Sequence, residues 1–394
     1  MRVGVVDLFC GCGGMSTGFA SCSVPGAHVE VVAGLDIDPS ACATYERMLQ
    51  RPAHCMDAQE LLDDPGKFQN LLQTWNLKSY DRSILIGCAP CQGFAAHRKA
   101  ASGDDPRRHL FTLFTQIAVQ LDPYAIIIEN VPDLFSKRHW HHYSEGVRAL
   151  EDVGFVVHSR VYNFAGFGLP QERFRAVIIA MKQEFDMPAP PLSPENFKTV
   201  RDVIQHLPPL EAGEICPTDP MHKTSNHRDS TISILKQVPI DGGNRPIGVG
   251  PECLDRARQK YGGYTDVYGR LAWDRPSATV TARCRTPSCG RFAHPEQHRG
   301  LSIREAALLQ GFPAEYFFEG GFDEKFKQIG NAVPPLVAEQ LADHTIRQLI
   351  GARPLLPISL ESDVLEPVGP GFAVKINGIK RRRRREPAAV GGNA

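Results

Sequence analysis

The chain has 394 residues, of which 42% are hydrophobic and 22% are charged, proportions that exclude a disordered or fibrous protein. Its formal net charge is zero, so charge as a whole does not indicate a nucleic-acid partner, and any such surface must be locally basic. No apolar run reaches the roughly 18 residues that span a membrane, no secretory signal opens the chain, and an odd number of cysteines, eleven, argues against a disulfide framework; we expect a cytoplasmic protein without a membrane partner.

The first 181 residues alternate short apolar runs with helical stretches. The predicted strands are 3–8, 29–35, 83–87, 125–128, 155–162 and 176–181. This alternation predicts an α/β fold, with a parallel sheet covered by helices on both faces. Such a sheet binds its ligands at the carboxyl ends of the strands. The last two strands are close enough in sequence to pair as neighbours.

The composition changes at the proline-rich segment 187–194, which indicates a domain boundary. A loop-rich stretch follows, and regular patterns resume where Ser302 and Glu305 form a possible capping box. A last helix is expected from Pro334 to about residue 350, with Gly351 as its stop. The predicted units are a first domain over 1–182, a smaller loop-rich domain over 183–300, late helices over 301–350 and a flexible basic tail over 351–394.

A glycine-rich turn at 11–14 connects the first strand to a helix, where it would let the backbone approach a ligand closely. Asp36 ends the second strand and could accept hydrogen bonds from ribose hydroxyls. Because Ser16 stands where a dinucleotide fingerprint has its last glycine, the turn fits adenosine attached to an amino acid better than a pyrophosphate. Asp57 could accept a hydrogen bond from an adenine amino group. The alternative is a tight turn with no ligand.

Chemically active side chains follow the third and fourth strands. Cys91 comes directly after the third strand, where a thiol needs activation before it acts as a nucleophile. Glu129 ends the fourth strand, and the apolar approach 125–128 would desolvate it and suit it to donate a proton. Arg173 and Arg175 alternate on one strand face, where both could point at an electron-rich ring or a phosphate.

Plainer interpretations of these residues compete. Cys88 and Cys91 could form a redox pair, or half of a zinc site completed by Cys284 and Cys289. Glu129 could be a structural carboxylate, and the two arginines a solvated strand face. Together, however, these alternatives must explain a cysteine, an acid and two arginines at one sheet edge beside an adenosine-type loop.

Six segments in order closely resemble the DNA (cytosine-5)-methyltransferase family: 7–14 (DLFCGCGG), 90–94 (PCQGF), 129–131 (ENV), 171–175 (QERFR), 304–313 (REAALLQGFP) and 328–333 (QIGNAV). They cover about 3–181 and 269–346 of the chain. The resemblance implies a Rossmann-like S-adenosylmethionine-dependent methyltransferase sheet with a second, smaller, loop-rich target-recognition domain. The span between the segments, about 183–285, falls where the family keeps its variable recognition region.

The resemblance implies S-adenosyl-L-methionine as cofactor. Phe9 would stack on adenine, Asp36 would hold the ribose and Asp57 the adenine amino group. Asn331 and Val333 come from the late helices, which must therefore pack back on the first domain. The full set of cofactor residues carried over is Phe9, Gly11, Gly14, Asp36, Ile37, Asp57, Pro90, Leu110, Asn331 and Val333.

The resemblance also implies that Cys91 adds to C6 of a cytosine flipped out of duplex DNA. Glu129 would protonate N3, while Arg175 holds O2 and Arg173 supports it electrostatically. Further expected contacts to the substrate are Gln92, Arg98, Lys99 and Asn130. No metal is expected, and the arginine run 381–385 either adds phosphate attraction or is a solvated tail.

The expected partners are double-stranded DNA and, in a restriction-modification system, a cognate restriction endonuclease. We expect a monomer, associated with the nucleoid in a bacterium or located in the nucleus of a eukaryote. Three other functions stay open on sequence alone: a tRNA cytosine-5 methyltransferase of the related branch, a catalytically silent DNA-binding regulator, and a nicotinamide oxidoreductase, which the glycine spacing disfavours.

Overall fold

A computed structural model describes residues 1–89 and 110–368, and its centre is a seven-stranded sheet in the order β3-β2-β1-β4-β5-β7-β6. The strands are β1 (Arg2–Leu8), β2 (His28–Asp36), β3 (Ala53–Cys55), β4 (Arg82–Gly87), β5 (Ala125–Asn130), β6 (Val156–Asn163) and β7 (Phe174–Met181). All six predicted strands are confirmed, and the short β3 is an addition. Strand order reverses between β1 and β4, which makes their carboxyl ends the usual ligand-binding position of such a sheet.

The prediction of a wholly parallel sheet is wrong at β7. Strands β1 to β5 pair in parallel, whereas β7 pairs antiparallel with both β5 and β6. The cause is the short connection 164–173, because a parallel return needs a crossover of about a dozen residues or more. The reversal brings the start of β7 to the carboxyl end of β5, so residues from both strands meet there.

The helices are α1 (Gly14–Ser21), α2 (Pro39–Leu49), α3 (Glu60–Asp63), α4 (Pro65–Trp75), α5 (Leu110–Leu121), α6 (Trp140–Glu151), α7 (Val200–Ile204), α8 (Asp229–Gln237), α9 (Glu252–Tyr261), α10 (Ile303–Leu309), α11 (Phe322–Asn331) and α12 (Pro335–Leu349). The capping box of Ser302 and Glu305 is confirmed at the start of α10. The last helix is confirmed too, with Gly351 beyond it at φ 71°. Across 1–89 and 110–368, no helix is long and apolar enough to cross a membrane.

Hydrophobic clusters cover both faces of the sheet, as predicted. Alternate residues of each strand point to opposite faces, so Val5 joins the cluster with α1 and α12, while Val6 joins the one with α4, α5 and α6. Helix α12 packs so closely on α1 that a Cβ at Gly18 would overlap the backbone of α12. This contact returns the end of the chain to its beginning.

Residues 195–300 contain the short hairpin of β8 (Ile215–Cys216) and β9 (Asp219–Lys223), with loops held by buried arginines. The Arg270 guanidinium donates hydrogen bonds to four backbone carbonyls, those of Leu235, Val238, His294 and Gln297. A third hydrophobic cluster joins this stretch to α10 and α11. The domain boundaries proposed from the sequence stay a prediction.

The flexible tail expected from residue 351 stays a prediction, and the part of it up to Val368 contacts the rest of the protein. The backbone N–H of Ser359 donates to Met187 O at 2.8 Å, and that of Val368 donates to Phe135 O at 2.8 Å. Between them, Asp363 forms an ion pair with the buried Arg160 of β6. The backbone of the edge strand β6 takes part as well, because the Ser159 N–H donates to Asp363 Oδ1 at 2.9 Å and the Ser159 carbonyl accepts from the Val364 N–H at 3.4 Å. Residues 369–394, with the arginine run, lie outside the described residues.

Candidate active site

The turn between β1 and α1 is fastened to the end of β2. Asp36 accepts a hydrogen bond from the Gly11 N–H at 2.8 Å and another from the Asp38 N–H at 2.9 Å. Burial raises the pKa of the Asp36 carboxyl above its ordinary value. Gly11 has φ +52°, and a Cβ there would meet no atom within 4 Å. The backbone conformation therefore favours glycine at this position, and the space above the loop is open.

Gly14, at the start of α1, is a glycine for a different structural reason, which is close packing. A Cβ at this position would overlap the carbonyl oxygen of Val333. The segment 331–333, which connects α11 to α12, thus lies directly against the glycine-rich loop. The structure therefore brings together the two distant parts of the chain that the sequence assigned to one cofactor pocket, while the ligand contacts themselves stay a prediction.

The other predicted cofactor residues lie around this edge of the sheet. Phe9 follows β1 with φ 57°, and its ring centroid is 6.5 Å from that of Phe114. Ile37 follows β2 and is 66% exposed, which is a large exposure for a branched aliphatic side chain. Asp57 is exposed and accepts a hydrogen bond from the Gln59 N–H at 2.9 Å. Leu110 is partly buried at the start of α5, and Pro90 lies outside the described residues.

Arg173 is buried just before β7, where it fastens the segment 331–333. Its guanidinium donates hydrogen bonds to the carbonyls of Val280 at 3.1 Å, Gly330 at 3.4 Å and Ala332 at 3.3 Å. The structure thus shows Arg173 on backbone carbonyls of segments that lie against the glycine-rich loop. Its proposed electrostatic support of Arg175 stays a prediction.

Two glutamines that sequence reasoning passed over complete this network. Gln171, fully buried, donates to Gln310 Oε1 at 2.8 Å and accepts from the Val280 N–H at 2.9 Å. Gln310 in turn donates to the Ala332 carbonyl at 2.7 Å. Their only sequence signal was their presence inside the segments 171–175 and 304–313, since nothing in the letters reveals that they contact each other.

Glu129 is buried at the carboxyl end of β5, where side chains from two neighbouring parts of the sheet reach it. Arg175, on β7, forms an ion pair with its Nε 2.8 Å from Glu129 Oε1, although the N–H is not aligned for a hydrogen bond. The Cys88 thiol, directly after β4, donates to Glu129 Oε2 at 3.0 Å. Sequence reasoning predicted that Glu129 and Arg175 share one edge, and the structure brings them together. It missed Cys88, which it had considered only as a redox or zinc residue.

Asn130, next to Glu129, holds Ala89, which is the residue after Cys88 in the loop that follows β4. Its Nδ2 donates to the Ala89 carbonyl at 3.3 Å, and its Oδ1 accepts from the Val131 N–H at 2.8 Å. The end of β5 therefore grips both residues that lead from β4 towards position 91. The predicted nucleophile and substrate residues in the next segment, which are Cys91, Gln92, Arg98 and Lys99, lie outside the described residues.

The fold and this site define the class of protein. A sheet with one reversed strand beside the edge, a glycine-rich loop after β1 and an acid after β2 is the architecture of S-adenosylmethionine-dependent methyltransferases. The family model for C-5 cytosine-specific DNA methylases matches residues 3–347. The chain belongs to that family, and it is a DNA cytosine-5 methyltransferase.

Relatives of known name match over most of their length. Type II methylase M.HgiDII of Herpetosiphon aurantiacus is 36% identical over 360 residues, which are 88% of this chain and 96% of the relative. Type II methyltransferase M1.HphI of Haemophilus parahaemolyticus is 34% identical over 351 residues, covering 88% of this chain and 87% of the relative. The resemblance inferred from the six segments is confirmed.

Solved structures support the fold. A DNA modification methyltransferase encoded within an E. coli prophage superposes with a TM-score of 0.67 at 21% identity, over 88% of this chain and 99% of that one. The S. pombe Dnmt2 methyltransferase superposes with a TM-score of 0.54 at 18% identity, over 89% of this chain and 99% of that one. At these identities the likeness is one of architecture.

Proposed function

We propose that this methyltransferase modifies C5 of one cytosine within a specific duplex DNA sequence, by way of a covalent bond to Cys91. The observation that carries the proposal is the arrangement at the end of β5. Glu129 is held there between Arg175 and the residues leading to Cys91, on the same sheet edge as the cofactor loop. Since both named relatives are Type II enzymes, we further propose a place in a restriction-modification system with a cognate endonuclease.

The loop residues fit S-adenosylmethionine, which supplies an electrophilic methyl group when bound. The open space above Gly11 admits a ligand close to the backbone. Each oxygen of Asp36 already accepts one backbone N–H, but a carboxylate oxygen has a second lone pair left for a ribose hydroxyl. The exposed side chain of Ile37 gives adenine an apolar surface to cover. Phe9, Asp57, Pro90, Leu110, Asn331 and Val333 complete the proposed pocket.

The protein's own residues make C5 reactive. The Cys91 thiolate adds to C6 of cytosine, and Glu129 supplies a proton to N3, so that C5 becomes an enamine carbon able to take a methyl group. Arg175 holds O2 of the same ring, close to the acid that it already contacts. Release of the C5 proton to solvent then re-forms the C5–C6 double bond and expels Cys91 as thiolate, and N3 returns its proton to Glu129.

The reacting carbons are inaccessible inside a duplex, so the cytosine must be flipped out at a cost of a few kcal/mol. Gln92, Arg98 and Lys99 are the proposed contacts from the segment after β4, and Asn130 positions the start of that segment. We propose that residues 183–300 read the target sequence. We expect one active site to act on one strand and the enzyme to be a monomer.

Burial sorts the basic residues that could contact DNA in that region. Arg245 is buried and pairs with Asp255 at 2.7 Å, and Arg270 is bound to backbone carbonyls, so both hold the fold. Arg228, Arg256 and Arg283 are exposed. Exposed arginines can contact phosphates or guanine edges, and these three are therefore the first candidates for contacts to DNA.

The test is methyl transfer from labelled S-adenosylmethionine to duplex DNA, followed by bisulfite sequencing. The proposal predicts 5-methylcytosine at one recurring sequence context, with tRNA a poor competitor as methyl acceptor. Methylation of tRNA in preference to DNA, or methylcytosine without any sequence preference, would overturn the proposed substrate.

A further inference from the structure

We propose that Cys88 is a positioning residue for the reaction, which fixes the carboxyl group of Glu129 through its thiol. The thiol lies 3.0 Å from Glu129 Oε2, while Arg175 contacts the other oxygen, Oε1. The inference rests on the proposed role of Glu129 as the acid at cytosine N3.

The sheet dictates this contact. Gly87 of β4 is in register with Ile128 of β5, so the next residue along each strand, Cys88 and Glu129, reaches the carboxyl edge side by side. Cys88 is partly buried, and Ala89 behind it is held by Asn130. The thiol therefore approaches Glu129 from a backbone that is itself fixed at the end of β5.

A carboxyl group gripped on one oxygen only can turn about its terminal bond, since such torsions have broad minima. Arg175 alone leaves that freedom, whereas a hydrogen-bond donor on the other oxygen removes it. A carboxyl group that is already fixed loses less conformational entropy when it meets N3 of the flipped base. It is also aligned with N3 in advance, and misplacement of a catalytic group is costly in rate.

The choice of a thiol matters for turnover. A thiol is a weak hydrogen-bond donor, so Glu129 Oε2 is oriented before the base arrives but is released to it at little cost. A serine hydroxyl at this position keeps a donor, whereas alanine removes it. The side chain at position 88 is therefore expected to affect the methyl-transfer step and not the binding of either substrate.

The experiment is a double-mutant cycle on the full-length enzyme, measured as single-turnover methyl transfer under reducing conditions. We expect Cys88→Ala to slow transfer about fivefold, which is less than the roughly tenfold effect of losing an ordinary hydrogen bond, because a thiol donates weakly. In the Glu129→Gln background the same change should slow transfer less than twofold. Cys88→Ser should retain most of the rate, and the dissociation constants for S-adenosylmethionine and DNA should not change.

Cys22→Ala serves as the matched control, because Cys22 is partly buried like Cys88 but lies at the C-terminal end of α1 beside α12, and it should leave the rate unchanged. Equal slowing by Cys88→Ala in both backgrounds, no slowing at all, or failure of Cys88→Ser to restore the rate would overturn the inference. Unchanged melting temperatures establish that the variants fold. If the unsubstituted enzyme itself methylates no duplex DNA, it is the proposed function that fails and not the role of Cys88.

Discussion

The sheet and the loop-rich region 195–300 are stabilised in opposite ways. In the sheet, strand pairing satisfies the backbone and apolar clusters cover both faces. In the loop-rich region, buried arginines satisfy the backbone instead, with Arg270 on four carbonyls and Arg299 on the carbonyls of Leu210 and Gly300. The proposed chemistry thus stands on a regular frame, while the region proposed to read the target is built of loops that a few buried charged side chains hold in place.

Buried acids also respond differently in the sheet and at the start of α10, where Arg299 of the loop-rich region meets Glu305. Asp7 is buried beneath the cofactor loop, and burial raises its pKa to about 8. Glu305 is buried as well, but the guanidinium of Arg299 outweighs the burial and lowers the pKa of that carboxyl to about 2. Burial alone thus raises the pKa of the Asp7 carboxyl, whereas the cation beside Glu305 lowers the pKa of that one.

Loss of the acid on the sheet should have the largest effect. Glu129→Gln keeps the shape of the side chain but cannot supply a proton, so we expect methyl transfer to fall about 10²-fold or more. Cofactor affinity should persist, because the loop after β1 is untouched. Single-turnover rates and equilibrium binding of labelled S-adenosylmethionine measure the two effects; an unchanged transfer rate would remove Glu129 from the chemistry.

The loop-rich region should be sensitive to its buried arginines and tolerant of the exposed ones. Arg270→Met leaves four carbonyls without their donor, and we expect a loss of about 3 kcal/mol or more of unfolding free energy, since each unsatisfied buried group costs about 1–3 kcal/mol. Arg256→Met is the control, because that exposed arginine is 3.6 Å from Glu252 and surface pairs contribute little. Urea unfolding distinguishes the two, and equal losses would contradict the comparison.

Alanine substitutions of the two loop glycines should destabilise the protein for different reasons. Gly14→Ala places a methyl group against Val333, and overpacking of this kind typically costs about 1–3 kcal/mol; it should also weaken cofactor binding by displacing the segment 331–333. Gly11→Ala meets no atom, so only the positive φ is penalised, at about 1–2 kcal/mol. Calorimetric binding of S-adenosylmethionine and thermal unfolding separate them. A milder effect of Gly14→Ala on both would argue against the close contact.

Asp7 makes the free energy of unfolding depend on pH. Because its folded-state pKa is raised from 3.8 to about 8, the folded protein between about pH 4 and 8 keeps a proton that the unfolded chain has already released. Its contribution to stability is therefore fully present below pH 4 and is lost as pH rises through 8, by at most about 1.4 kcal/mol per pH unit.

The Asp7→Asn variant removes that titration. Its unfolding free energy, measured in urea from pH 4 to 8, should gain on that of the unsubstituted enzyme as the pH increases. The side chain contacts the Ser16 hydroxyl at 2.6 Å, a bond that the amide oxygen of asparagine can also accept. Parallel pH profiles for the two proteins would contradict the account of this buried acid.

Sequence predicted the parts of the fold that have local signals. Apolar runs identified the six strands, and the pair Ser302 and Glu305 identified the start of α10. The direction of β7 depended on the length of a connection, which the apolar pattern does not encode. The stretch up to Val368 was expected to be flexible because its composition is that of a tail, yet it contacts the edge strand β6.

The candidate site shows the same limit. Arg173 and Arg175 occupy similar positions in the sequence but have different partners in the structure. Arg173 contacts the carbonyls of Val280 and Ala332, whereas Arg175 contacts Glu129. Motif order could assign both to the site without separating their partners. The contact of Cys88 with Glu129 was not predicted, because it joins residues that follow or end two different strands. The register of β4 with β5, which places them side by side, is not visible in the sequence.

A mechanism-based trap tests the central proposal most directly. Duplex DNA carrying 5-fluorocytosine at the target position, with S-adenosylmethionine present, should become covalently attached to the enzyme, because fluorine at C5 cannot leave as a proton does. Peptide mapping by mass spectrometry should place the bond on Cys91, and Cys91→Ser should form none. No adduct at all, or an adduct on Cys88 in place of Cys91, would contradict the account.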